Sequence, residues 1–189
     1  MFKIIAVSNR HICSGDFVKR IKEITSAGID VILREKDLSN EEYLHLLKSV
    51  GHKNIIPHSF YNEAKQAGHK KLHLPLYILR ENPQLAKNFN VGVSIHSIKE
   101  AEEAQRLGAV YATAGHIFTT DCKKGLPGRG IEFLKSIKQV TQIPIFAIGG
   151  ICADNIEKIE QAGADGACIM SGFMRCADVK EFIYELHRN

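Results

Sequence analysis

The sequence predicts an α/β fold of the (β/α)8 TIM-barrel type, forming one compact domain over residues 1–189. Three observations predict it: eight short apolar runs rich in β-branched residues, helical patterns between them, and a glycine at five of the points where a helical pattern passes into the next apolar run. Uninterrupted apolar runs are typical of parallel strands that are buried on both faces. An open doubly wound sheet is the alternative, because periodicity does not show whether a sheet closes.

The predicted elements follow one another regularly along the chain. Strands are predicted at 3–8, 29–34, 54–57, 71–75, 91–95, 109–114, 144–148 and 166–170. Helices are predicted at 16–27, 39–50, 61–67, 82–88, 97–107, 130–140, 153–162 and 177–187, the fourth being brief. Helix ends are marked by glycines suited to a left-handed residue, at Gly28, Gly51, Gly68, Gly108 and Gly163. Helix starts are marked by capping-box pairs, at Ser39 with Glu42, Ser97 with Glu100 and Asp154 with Glu157.

The composition excludes several classes of function. Hydrophobic residues make up 44% and charged residues 24% of the 189 residues, a balance typical of a globular protein with one core. No apolar run approaches the ~20 residues of a membrane span, and the N-terminal run is too short for a signal peptide. The net charge of +4 lacks a dense basic block, which favours a small-anion site over nucleic acid. Five cysteines without a CxxC pair indicate a reducing cytoplasm and no zinc site.

The candidate site lies where the strands end, because barrel active sites are built on the loops that follow the strands. Polar residues predicted at these ends are Asn9, Arg10, Arg34, Glu35, Lys36, His58, Ser59, Ser94 and His96. Within the fourth strand lies His73, which we interpret, like His96, as structural. No pair of carboxylates stands at these ends, so no metal site is predicted.

The two last loops predict a phosphate site. Strand seven ends in "AIGGI" and strand eight in "IMSGF". Backbone without side chains lets N–H groups approach an anion, and a helix N-terminus adds a favourable dipole. The predicted phosphate-binding residues are Gly149, Gly150, Met170, Ser171 and Gly172. The alternative is that these glycines only make tight turns.

The stretch 115–130, "GHIFTTDCKKGLPGRG", concentrates reactive groups directly after the sixth strand. An imidazole both takes and returns a proton near neutral pH, which makes His116 the candidate acid and base. Behind it, Lys123, Lys124 and Arg129 are candidates to neutralise a carboxylate or phosphate, Arg129 with a two-donor fork. A nucleophilic role for Cys122 has no supporting motif, and a structural thiol is the simpler interpretation.

The chain resembles the thiamine phosphate synthase/TenI superfamily over essentially its whole length. The similarity is carried by "VGVSIHSIKEAEEAQRLGAVYA", by "GHIFTTDCKKGLPGRGIEFL" and by "IPIFAIGGICADNIEKIEQAGADGACIMSGF". The second of these is the specific signature, whereas "AIGGI" alone is weak. The resemblance implies a (β/α)8 barrel that binds a thiazole phosphate.

The resemblance also implies where the chain departs from the synthase branch. That branch carries a Gln-x-Arg-x-Lys motif after strand two, and here "ILREK" keeps Arg34 and Lys36 but has Ile32 in place of the glutamine. It also carries an Asn-Asp pair after strand three and a further Asp after strand four, and the two aspartates hold magnesium. Here His58 and Ser59 stand near the first two positions and Ile78 near the third. The resemblance therefore favours the TenI branch, the thiazole tautomerases.

The TenI branch implies a set of residue roles. The histidine that opens its loop matches His116, the acid/base of a proton shift that aromatises a carboxylated dihydrothiazole phosphate. In this hypothesis the substrate is bound by Arg34, Lys36, Ser94, Thr120, Cys122, Lys123 and Arg129, with Lys123 or Arg129 on the carboxylate. Its phosphate lies at the glycines and the Met170–Ser171 backbone. The expected partner is this small molecule, with no cofactor, no metal, no nucleic acid and no membrane, and with a homodimer left open.

Two alternatives come from other classes. The first is a thiamine phosphate synthase, a transferase that couples a pyrimidine pyrophosphate to the thiazole phosphate, for which product formation with Mg²⁺ would decide. The second is a non-catalytic thiazole-phosphate-binding regulatory protein, which would bind the ligand tightly without turnover.

Overall fold

The computed structural model describes residues 2–51, 53–120 and 125–188. Eight parallel strands surround a filled interior. They are β1 (Lys3–Val7), β2 (Asp30–Leu33), β3 (Ile55–Pro57), β4 (Lys71–Pro75), β5 (Asn90–Ile95), β6 (Tyr111–Gly115), β7 (Ile145–Ile148) and β8 (Gly166–Ile169). The helices are α1 (Phe17–Ser26), α2 (Asn40–Val50), α3 (Tyr61–Gln66), α4 (Leu76–Glu81), α5 (Leu85–Asn88), α6 (Ile98–Arg106), α7 (Gly130–Val140), α8 (Ala153–Gln161), α9 (Ser171–Arg175) and α10 (Val179–Leu186), with a 3-10 turn at Arg10–Ile12.

The sheet closes almost completely into a barrel. Its strand order is β3-β2-β1-β8-β7-β6-β5-β4, with every neighbouring pair parallel. The two end strands, β3 and β4, meet through a parallel bridge between His58 and His73. This confirms the predicted (β/α)8 fold and rules out the open doubly wound sheet.

The strand register brings the strand ends together at one mouth of the barrel. Val7 of β1 lies beside Ile32 of β2, and Gly115 of β6 lies beside Ile148 of β7. The residues that follow each strand therefore emerge at the same end. That end carries the candidate site.

The connection between β4 and β5 differs from its prediction. The single helix expected at 82–88 is replaced by α4 and α5, which are separated around Asn82 and Pro83. A proline disfavours helical backbone at the residue before it, and Asn82 indeed adopts φ −131° and ψ 62°. The predicted last helix, 177–187, is also shorter, because Asp178 caps α10 by accepting from the Lys180 and Glu181 N–H groups.

The predicted caps are partly confirmed. Ser39 and Glu42 form the full capping box of α2, and Ser97 accepts from the Glu100 N–H at the start of α6. The predicted Asp154 cap is wrong, because α8 begins two residues earlier than that pattern requires. Its cap residue is Cys152, whose N–H donates to the Asn155 side chain at 3.0 Å.

Two apolar layers hold the barrel. A large cluster packs the helices against the outside of the strands. A smaller cluster fills the interior and consists of Ile5, Val7, Ile32, Ile56, Phe146 and Cys168. Cys168 is 1% exposed, which confirms its prediction as a core residue. None of the described helices has the length and apolar character to cross a membrane.

Candidate functional site at the strand ends

A cavity of about 460 Å³ opens at the carboxyl ends of the strands. Ten of the predicted site residues line it: Arg34, Lys36, Ser94, His116, Thr120, Gly149, Gly150, Met170, Ser171 and Gly172. Cys122 and Lys123 lie outside the described residues. The tertiary structure thus joins the ends of β2, β5, β6, β7 and β8 into one site.

Arg129 has a different environment from the predicted one. Its guanidinium donates to the His96 carbonyl oxygen and lies 4.9 Å from the centre of the Phe133 ring. It is not among the residues that line the cavity. Its backbone N–H donates to the His116 carbonyl at 3.0 Å. In this structure Arg129 therefore fixes the base of the 117–130 loop rather than facing the cavity.

His116 lies on the cavity wall directly after β6. It is 7% exposed, and its Nε2 atom lies 3.3 Å from the Leu126 carbonyl oxygen. Its main chain packs closely on the β7 loop, since a Cβ atom on Gly149 would lie 2.8 Å from the His116 Cα atom. The His116 side chain is thus held between two loops of the barrel mouth.

The glycines after β7 and β8 are required by packing. Gly149 has φ +107° and Gly150 has φ +66°, a region that L side chains rarely adopt. A Cβ atom on Gly150 would meet the Thr119 carbonyl and the Phe118 side chain, and one on Gly172 would meet the Phe182 ring. These contacts bring bare backbone to the cavity wall. The helix that follows β8, α9, has only five residues.

The residues after β2 are held by a buried carboxylate. Glu35 is 2% exposed and accepts from the Ser8 hydroxyl at 2.6 Å and from the Arg10 N–H at 3.1 Å. Arg10 in turn pairs with Asp37 through two bonds of 2.6 Å. This network is called the Glu35 clamp: Ser8, Arg10, Glu35 and Asp37. Arg34 and Lys36 line the cavity, whereas Glu35 between them directs its carboxylate into the clamp.

The charges on this side of the site influence one another. Burial, together with the Arg34 charge, lowers the pKa of Lys36 below its usual value. The Arg10 guanidinium and His11 hold the pKa of the Asp37 carboxyl well below its usual range. Asp37 is therefore held ionised and paired with Arg10, whereas Arg34 and Lys36 line the cavity with positive side chains.

Two buried histidines form the neutral wall of the cavity. His73 Nδ1 lies 2.9 Å from the Tyr111 hydroxyl oxygen, and its Nε2 lies 3.0 Å from Ser94 Oγ. The His58 ring stacks on it at 5.7 Å, with Nδ1 2.8 Å from Ser59 Oγ. Burial and the Arg34 charge lower the pKa of His73 to about 3. Burial and nearby positive charges likewise lower the pKa of His58, so both rings are neutral at physiological pH.

Sequence reasoning missed part of this wall. Thr113 lines the cavity although it was not among the predicted residues, and so do His73 and His96, which were interpreted from the sequence as structural. The available signal was strand alternation, because residues that point into a barrel recur at every second position. An uninterrupted apolar run does not show which of its residues point into the barrel. That direction depends on the register between neighbouring strands, which only the tertiary structure gives.

The described part of the chain shows no set of magnesium ligands at this cavity. No aspartate or glutamate is among its described lining residues. Among the described residues, no group of three or more His, Cys, Asp and Glu side chains could hold a metal ion. Near the Asn-Asp pair and the further Asp that the resemblance implies, this chain has His58, Ser59 and Ile78.

Comparisons with known proteins assign the family. The protein-family model described as thiamine monophosphate synthase matches residues 64–173. A thiamine-phosphate synthase of Clostridium tetani is 34% identical over 193 residues, covering 95% of this chain and 91% of the relative. One from Fusobacterium nucleatum is 32% identical over 202 residues, covering 99% and 96%. The chain belongs to the thiamine monophosphate synthase family.

A solved structure agrees with this assignment. The thiamine phosphate pyrophosphorylase from Pyrococcus furiosus superposes on this member of the thiamine monophosphate synthase family with a TM-score of 0.82. The two share 26% sequence identity, and the match covers 99% of this chain and 94% of the other.

The comparisons correct the predicted activity. The tautomerase interpretation is wrong, because the relatives that match nearly the whole chain at 30–34% identity are named thiamine-phosphate synthase. The tautomerase prediction rested on the missing acidic residues and on His116 at the start of the loop after β6. Similarity over the whole chain includes the barrel and both sides of the site, and it favours the thiamine phosphate synthase alternative.

Proposed function

We propose that this protein is a transferase of the thiamine phosphate synthase type, which joins a pyrimidinylmethyl diphosphate to a thiazole phosphate. The observation that carries the proposal is one cavity lined by positive side chains on one side and by glycine backbone on the other. Arg34 and Lys36 lie at its β2 side, and bare backbone after β7 and β8 lies at the other. Neutral His73 and Ser94 lie on the wall of the same cavity.

The two substrates are assigned to the two sides by their charge. The thiazole phosphate is placed on the backbone of Gly149, Gly150, Met170, Ser171 and Gly172, where N–H groups can meet a monoester phosphate. The diphosphate is placed at Arg34 and Lys36, since a leaving group of higher charge needs stronger compensation. Five relatives matched over at least 95% of this chain are named thiamine-phosphate synthase, which supports a coupling reaction that yields thiamine phosphate.

The reaction is a displacement at carbon. The thiazole ring nitrogen donates its electron pair to the methylene carbon of the pyrimidine substrate, and the bond from that carbon to the diphosphate oxygen breaks. The diphosphate leaves with that electron pair, so positive charge beside it stabilises the transition state. The cavity holds both reactants in one place, which removes much of the entropic cost of their encounter.

His116 and Thr120 are placed beside the thiazole substrate, since both line the cavity near the β7 loop. The displacement needs no proton transfer at the reacting carbon. In this proposal His116 therefore orients the thiazole and does not act as an acid or base.

The test is the coupling reaction itself. Purified protein is incubated with both substrates, with and without Mg²⁺, and thiamine phosphate and diphosphate are quantified by chromatography. We expect the two products in equal amounts, and a loss of at least tenfold in Arg34→Gln. Lys71→Gln is the matched control, because Lys71 pairs with Asp30 at 2.8 Å at the start of β4, away from the mouth. Absence of product under every condition, with thiazole phosphate still bound, would contradict the proposal and indicate a non-catalytic binder.

A further inference from the structure

The β2 side of the cavity carries positive charge without the carboxylates that a metal–diphosphate complex uses. Mg²⁺ prefers oxygen ligands and is usually bound through carboxylates together with substrate phosphates. Here the described lining offers Arg34, Lys36 and the rings of His58 and His73. Arg34 and Lys36 donate hydrogen bonds to anions, and the two histidines are neutral imidazoles. None of the four is an anionic oxygen ligand of the kind that Mg²⁺ prefers.

The nearby carboxylates are committed elsewhere. Glu35 bonds to the Ser8 hydroxyl and to Arg10, and Asp37 bonds to Arg10 and His11. Neither lines the cavity. Their charge is used within the Glu35 clamp, which orients the backbone of Arg34 through a 2.8 Å bond from its N–H to Ser8 Oγ.

Glu63 is the carboxylate that a metal-dependent reaction would have to use, because it lines the neighbouring cavity. It lines a second cavity of about 390 Å³, which shares Lys36 and Pro75 with the first and also includes Ser59 and Ile78. Glu63 is 9% exposed and is the one carboxylate among the described residues that line that cavity. One carboxylate beside a lysine gives a divalent cation little compensation for its lost hydration.

The electrostatics favour an anion in the same place. Arg34 and Lys36 line the same cavity at the end of β2, and burial together with the Arg34 charge lowers the pKa of Lys36. A diphosphate between them relieves the repulsion between the two positive charges, whereas a divalent cation increases it. His58 stays neutral under the same influence.

We infer that Arg34 and Lys36 bind the diphosphate leaving group directly, and that this chain performs its transfer without a divalent cation. The inference rests on the proposed function for the identity of the leaving group. The two side chains take the role that magnesium and its carboxylates have in the family resemblance. As the C–O bond breaks, the charge that develops on the diphosphate is neutralised by fixed cations.

The first experiment measures binding and needs no turnover. Inorganic diphosphate is titrated into the protein by calorimetry, in EDTA and in excess Mg²⁺. We expect binding in EDTA to be as tight as in Mg²⁺ or tighter. Arg34→Gln and Lys36→Gln are expected to weaken it at least tenfold, and Lys71→Gln to leave it unchanged. Binding that requires Mg²⁺, or that is indifferent to both cavity variants, would overturn the inference.

The second experiment measures coupling under the same conditions, with Glu63→Gln added. We expect product in EDTA and no metal-dependent loss in Glu63→Gln. Coupling that appears only with Mg²⁺ and falls tenfold or more in Glu63→Gln would overturn the inference and leave the proposed function intact. Metal-free diphosphate binding at Arg34 and Lys36 without coupling under any condition would instead refute the proposed function.

Discussion

The two sides of the cavity differ in which part of the chain forms the wall. At the ends of β7 and β8 the wall is backbone, made available by glycines whose missing side chains let loops pack together. At the end of β2 it is charged side chain, held by the buried Glu35 clamp. The first side tolerates almost no added volume, whereas the second depends on charge and orientation. Added volume on the first side and lost charge on the second should therefore each weaken binding of the substrate on that side, with the larger loss of stability on the glycine side.

The largest expected effect is on the glycine side. Gly149→Ala places a Cβ atom 2.8 Å from the His116 Cα atom, at a φ of +107°. The loop must shift, and we expect a loss of about 2–4 kcal/mol in the free energy of unfolding, together with weakened thiazole phosphate binding. Urea unfolding and calorimetry measure the two. The control is Gly163→Ala, with φ +83° but no atom within 4 Å, which should cost only about 1 kcal/mol.

The charged side is tested by Glu35→Gln. The variant keeps the shape of the side chain but removes the charge that holds Arg10 and the Ser8 hydroxyl. We expect the free energy of unfolding to fall by about 1–3 kcal/mol. We also expect a roughly tenfold higher KM for the diphosphate substrate, which corresponds to about 1.4 kcal/mol of binding free energy. Asp37→Asn, at a side chain 53% exposed, should change stability by less than about 1 kcal/mol. If Glu35→Gln and Asp37→Asn lower stability equally, the burial of Glu35 does not determine how much the clamp stabilises the protein.

The neutral wall between the two sides predicts a dependence of stability on pH. Burial lowers the pKa of His73 to about 3, whereas in the unfolded chain a histidine titrates near ~6.5. Below that pH the unfolded state binds the extra proton, so stability falls as the pH falls from about 6.5 towards 3. The expected slope is about 1 kcal/mol per pH unit from this histidine. Urea unfolding at pH 7, 6 and 5 measures it, and His73→Gln should flatten the slope.

The smallest effect is expected at Arg129. Its guanidinium contacts the His96 carbonyl and the Phe133 ring and does not line the cavity. Arg129→Gln should lower stability by about 0.5–1 kcal/mol through the lost ring contact and change KM for either substrate less than about threefold. A tenfold rise in KM for one substrate would show that Arg129 turns into the cavity when that substrate binds.

Much of the candidate site could be predicted from the sequence. Arg34, Lys36, His116 and the β7–β8 glycines were predicted from their place after apolar runs, and they do line one cavity. The roles of Arg129, His58 and His73 were not, because each depends on a contact between segments far apart in the chain. The predicted activity was wrong because the missing acidic residues and His116 are local features, whereas the family relationship rests on similarity over the whole chain.

The sequence by itself determined the alternation of strands and helices, the left-handed glycines at helix ends and the strand-end position of the polar residues. These are local properties, fixed by hydrophobic period, backbone sterics and capping chemistry within a few residues. Only the tertiary structure decided that the sheet closes at His58 and His73, that Glu35 turns into a clamp while Arg34 and Lys36 face the cavity, and that Gly149 packs on His116. Each of these follows from barrel register and from contacts across the barrel, which bring together side chains that local periodicity treats as independent.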